Sequence, residues 1–97
     1  MTIDKKLSRL YSLLENAEKL AREFSGGYSN HFIDAEDFHK SLSESIIKLK
    51  SGNWDEIDRL WVWFAPTCDW DDLIGRDGEV LANEVFLLLS DLKPRHL

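Results

Sequence analysis

The side chains able to do chemistry in this 97-residue chain gather in two stretches, Cys68–Glu79 and His31–His39. In the first, Cys68 is followed by Asp69, Asp71 and Asp72. A helix start can activate a thiol, but three neighbouring carboxylates disfavour the thiolate, so Cys68 is expected to be a buried structural residue. The run from Asp69 to Glu79 is also rich in hard oxygen ligands. Read as a calcium loop from Asp69, it puts Leu73 at the fifth position, Ile74 where glycine is needed, and Val80 in place of the closing glutamate. In the second stretch, His31 and His39 flank Asp34, Glu36 and Asp37, but their spacing crosses a helix start and matches no ligand pattern. His96 stands apart in the tail. There is no Gly-rich phosphate loop, nucleophile elbow or paired-histidine motif, so the expectation is a non-enzyme without metal or cofactor.

Recognition is the chemistry left. Trp54, Trp61, Trp63 and Trp70 all fall between residues 54 and 70, and Leu60–Ala65 is continuously apolar. Around them lie Asp55, Glu56, Asp58, Asp69, Asp71, Asp72, Asp77, Glu79 and Glu84, against Arg59 and Arg76 alone. Aromatics interleaved with excess acid suit a basic protein partner, the charge hastening encounter and the rings supplying affinity. At about 100° per residue, Trp54, Ile57, Trp61 and Phe64 share one helix face, Leu60 lies at its edge, and Val62 and Trp63 point away on opposite sides. Trp63 is then either part of an aromatic mini-core under residues 67–74 or a partly exposed anchor. The candidate partner-binding set is Trp63 and Trp70 as anchors, with Asp55, Asp58, Asp69, Asp71 and Asp72 as charge partners.

These residues must be positioned by helices. Ile3, Leu7, Leu10, Leu14, Ala17, Ala21 and Phe24 alternate four-three spacings, which predicts a first helix over 4–24, stopped by Gly26-Gly27. Asp34 is expected to cap a second helix, with Ile33 and Phe38 as a hydrophobic staple, Lys48 and Lys50 in its last turn and Ser51-Gly52 after it. Asn53 is expected to cap a third helix, 54–65, which Pro66 ends. Thr67 starts a short helical turn over 68–74. Leu81, Val85, Leu88 and Leu92 predict a last, central helix over 79–92, closed by Pro94. The expected fold is all-α: a single domain, 1–97, built as an up-and-down four-helix bundle with a short extra helical turn between the third and last helices.

Composition narrows the class further. Fifteen Leu against two Thr and two Pro argue for helices, and 43% apolar with 31% charged residues excludes disorder. No apolar run approaches a membrane span, no secretory leader pattern opens the chain, and Cys68 has no intramolecular disulfide partner, so a cytoplasmic location is expected. Residues 1–50 balance eight basic against eight acidic side chains, whereas 51–97 hold four against ten, so the second half carries the whole net charge of −6. Nucleic acid is disfavoured as a partner, because phosphate would be repelled by the segment that stands out.

The run Leu60-Trp61-Val62-Trp63-Phe64-Ala65-Pro66, followed by Asp71-Asp72, resembles the aromatic, proline and acid segment of the colicin nuclease immunity proteins, small acidic four-helix bundles that block a toxin's nuclease domain. That family sets adjacent tyrosines before its proline, where this chain has Phe64 and Ala65. The resemblance implies toxin contact through Trp63, Phe64, Asp71 and Asp72. The alternative expectation is a structural module, monomer or homodimer, in which the first-helix seam or the aromatic patch pairs with a second copy.

Overall fold

The computed structural model describes residues 3–29, 31–66 and 68–93. Helix α1 spans Ile3–Ala21, α2 Ala35–Lys50, α3 Asp55–Phe64, α4 Asp69–Leu73 and α5 Glu79–Leu92, with a 3-10 turn at Gly75–Gly78 leading into α5. The described residues hold no strand, and the fold is all-α. The expected Thr67 cap, the Pro94 stop and His96 lie outside the described residues.

Helix α1 stops one turn before Phe24. The amides of Glu23 and Phe24 bond three residues back, to Leu20 and Ala21, which tightens the last turn and lets Phe24 fold onto the core. Gly26 and Gly27 then reverse the chain at φ of 75° and 74°, angles that side chains with a Cβ rarely adopt. Asp34 caps α2 as expected: its Oδ1 accepts from the Asp37 amide at 2.7 Å, and the Asp37 carboxylate accepts from the Ile33 amide at 3.4 Å. The staple is different. Ile33 is 79% exposed, and Phe32 takes its place against Phe38, edge to face at 5.0 Å between centroids.

The core face of α3 is turned from the expected one towards Trp63. Glu56, Ile57, Leu60, Trp63 and Phe64 are buried, whereas Trp54 is 41% exposed and Trp61 sits on the rim. The reason is that α3 packs against α2 and α5 together, and the Phe32–Phe38 pair covers the flank that Trp63 occupies. Trp61 is held outside: it stacks on Phe86, donates from Nε1 to Ser90 Oγ at 2.9 Å and lies beneath the Lys93 ammonium. Helix α3 starts one residue later than expected, with Trp54 in the cap position and no side-chain cap bond, and Asn53 just outside it accepts from the Asp55 amide at 3.2 Å. Helix α5 is also turned by one residue, burying Ala82, Val85, Leu89 and Leu92 while Leu81 and Leu88 are partly covered.

One contiguous core joins all five helices. The α1 seam of Leu10, Leu14, Ala17 and Ala21 is wholly consumed by it, with α2 on one side and α5 on the other. Polar clasps flank that seam. Lys6 pairs with Asp91 and Arg9 with Glu84 across to α5, while Lys50 of α2 reaches Glu15. Glu18 accepts from Arg22 Nη2 at 2.7 Å, meets His39 Nε2 at 2.7 Å and accepts from Ser43 Oγ at 3.3 Å. The Arg22 bond, with His39 second, holds the Glu18 carboxyl below its ordinary range against the opposing effect of burial.

Candidate functional site

The expected binding set divides three ways. Trp70 and Asp69 are fully buried, which corrects their assignment as surface anchor and charge partner. Trp70 stacks on Phe64 at 4.9 Å, meets Phe38 edge to face and donates from Nε1 to the Gly78 carbonyl at 3.1 Å. With its one donor satisfied, the indole can be sealed in the core at no polar cost. The ring lies so close to Gly78 that a Cβ added there would stand 2.6 Å from its Cζ2.

Asp69 is a latch. Its Oδ1 accepts from Ser29 Oγ at 2.6 Å and from the His31 amide at 3.1 Å, and its Oδ2 lies 2.7 Å from His31 Nδ1. Three donors repay the desolvation of one carboxylate and tie the first residues of α4 to the loop between α1 and α2. A carboxylate can only accept, so the His31 ring carries its proton on Nδ1 and Nε2 is left turned from the latch. Gly26 and Ser29 brace the same loop: the Gly26 carbonyl accepts from the Ala35 amide at 2.8 Å and the Ser29 amide donates to the Phe32 carbonyl at 3.0 Å.

The latched loop forms one wall of a groove of about 520 Å³ lined by His31, Phe32, Asp58, Arg59, Val62 and Trp63. Two of the expected residues meet here. Trp63 is 7% exposed and supplies the floor, within an aromatic cluster that includes Phe32 at 5.2 Å and Phe38 at 5.9 Å, instead of standing out as an anchor. Asp58 is the acid on the opposite wall. Arg59 lies 3.6 Å from the buried Glu56, and His31 faces Asp69, so each basic side chain lining the groove has a carboxylate beside it.

Asp55, Asp71 and Asp72 are exposed elsewhere. Asp55 opens α3, and Asp71 lines a second, more polar cleft of about 290 Å³ with Phe64, Pro66, Gly75, Arg76, Glu79, Ala82 and Asn83. Cys68, at the start of α4, is partly exposed instead of buried. Among the described residues no group of three or more His, Cys, Asp or Glu could hold a metal ion, and no helix is long and apolar enough to cross a membrane.

Sequence reasoning missed the loop wall. His31 and Phe32 are brought to α3 by a carboxylate nearly forty residues away in the chain, and no spacing rule reports such a pair. The one available signal was an aromatic directly beside the staple position, since Phe32 and Ile33 compete for the same contact.

Compared with known proteins, the chain matches no family model, no curated protein and no solved structure.

Proposed function

We propose that this domain is an acidic protein-binding module that neutralises a basic protein, a toxin or nuclease, by covering its working surface, without catalysis or cofactor. The observation that carries the reading is the excess of acid over base in the second half of the chain, where residues 51–97 hold ten acidic against four basic side chains. Asp55, Asp72, Asp77 and Glu79 are exposed and form no ion pair among the described residues, whereas the acids that face α1, Glu84 and Asp91, are paired with Arg9 and Lys6. Unpaired charge on one region of the surface steers an oppositely charged partner and sets the rate of encounter. The resemblance of residues 60–72 to colicin nuclease immunity proteins points the same way. An up-and-down arrangement of α1, α2, α3 and α5 fits this reading, since each packs against the next in sequence and α1 packs against α5. A cytoplasmic site of action suits a chain whose one thiol, Cys68, is free.

Capture from the native organism's lysate tests this, with immobilised wild type beside an Asp55→Asn, Asp72→Asn double variant. The expected result is a basic protein held by the wild type, released as salt rises, and associating more slowly with the variant while dissociating at a similar rate. Retention that ignores both salt and the two substitutions overturns the proposal. A second copy is the rival partner, favoured by Val80 and Leu87, both exposed and seven residues apart on α5. A dimer in light scattering that Leu87→Glu dissolves would decide for it.

A further inference from the structure

We propose that the groove between the His31–Phe32 loop and α3 is a socket for an arginine side chain of the partner. The inference rests on reading the domain as a binder of basic proteins, and it names the group that reads the partner. The groove has the size of a small-ligand pocket and an apolar lining of Phe32, Val62 and Trp63, against which the stem of a long cationic side chain can lie. Its charges decide the head group. His31 faces Asp69 at 2.7 Å and Arg59 lies 3.6 Å from Glu56, so each has a carboxylate beside it.

Asp58 is the remaining charge, and it has no ion-pair partner among the described residues. Its Oδ1 is shielded from water and accepts no hydrogen bond from them. An ionised oxygen shielded from water without a donor is costly, and an incoming N–H recovers that cost. The terminal torsion of an aspartate is soft, so both oxygens can swing to meet a planar donor pair. A guanidinium presents two parallel N–H groups, is weakly hydrated and packs on aromatic surface, whereas an ammonium is a strongly hydrated point charge. The socket therefore favours arginine over lysine.

The test is an NMR titration of the full chain with N-acetyl-arginine methylamide, the matching lysine probe, and the neutral isostere N-acetyl-citrulline methylamide. The arginine probe is expected to shift the Phe32 and Val62 amides and the Trp63 indole N–H, and to bind about tenfold more tightly than citrulline, the scale of one charge-assisted pair. Asp58→Asn should bring arginine down to the citrulline level while leaving resonances outside the groove unchanged. Equal binding of arginine and citrulline, or arginine shifts confined to residues 71–79, overturns the socket. Because partner capture is scored on Asp55 and Asp72, which lie outside the groove lining, it can succeed while this titration fails, and the two readings are refuted separately.

Discussion

Asp69 shows how one carboxylate can decide the shape of a surface it never reaches. Its three donors come from Ser29 and His31, and the groove wall follows from them. Asp69→Asn keeps the volume but replaces one acceptor oxygen with an amide that donates, leaving some of these donors unmet. The variant should lose about 2–3 kcal/mol in chemical denaturation, the cost of breaking a buried charged hydrogen-bond set, with faster hydrogen exchange at the Ser29 and His31 amides. A loss under about 0.5 kcal/mol would mean that the loop is held by its backbone bonds alone. Of the residues expected to bind, Asp58 and Trp63 do line the groove, but Trp63 is its buried floor and not the exposed anchor, because helical phase alone does not tell which side of α3 its neighbours cover. Asp69 and Trp70 were misread because an acidic, aromatic segment looks the same in sequence whether its side chains point out or in. The packing of Trp70 against Phe38 and Phe64, together with the Asp69 latch, turns this segment inward.

At the scale of the elements, helix number, order and approximate ends followed from four-three spacing, caps and glycines, since those signals lie within one turn. Rotation of each helix about its axis did not. The apolar runs on α3 and α5 are wide enough to permit several phases, and neighbouring helices choose among them: Phe32 with Phe38 selects the Trp63 side of α3, and α1 with α3 selects Ala82 and Leu89 on α5. The junction of α4 with the 3-10 turn is the tightest of these choices. Gly78→Ala should destabilise by about 1–3 kcal/mol, because the methyl has nowhere to go but into the Trp70 ring. The same substitution in a Trp70→Phe background should cost less, and a double-mutant cycle in thermal denaturation measures the difference. Additive effects would refute the steric account.

For the whole molecule, charge is divided between jobs. Glu15, Glu18, Glu84 and Asp91, on α1 or facing it, are paired and stabilise the fold, whereas Asp55, Asp72, Asp77 and Glu79 form no ion pair among the described residues and shape the field around it. The pH dependence of stability should reflect the first group. The Lys50 hydrogen bond lowers the Glu15 carboxyl, and Arg22, then His39, lower Glu18, each from an ordinary value of 4.5. A folded-state value below the unfolded one adds stability above that ordinary value and loses it as pH falls through the folded value. The stability gap between wild type and Glu18→Gln should therefore be largest near neutrality and close as the medium is acidified below the ordinary glutamate range, as urea titrations at a series of pH values would show. A gap that persists in strong acid would remove Glu18 from the account.

The latched loop has a consequence for how such a chain can change over generations. Tyr28 and Ile33 are 81% and 79% exposed, yet the backbone beneath them is fixed by bonds from Gly26, Ser29 and Asp37. Replacing either side chain alters what the loop presents while the hydrogen bonds that shape it remain. Asp69, Trp70 and Gly78, by contrast, are bound to specific partners at contact distance, and each can be exchanged only together with its neighbours. A lineage pursued by a changing adversary could rewrite its outward message at two positions and leave the machinery that displays it untouched.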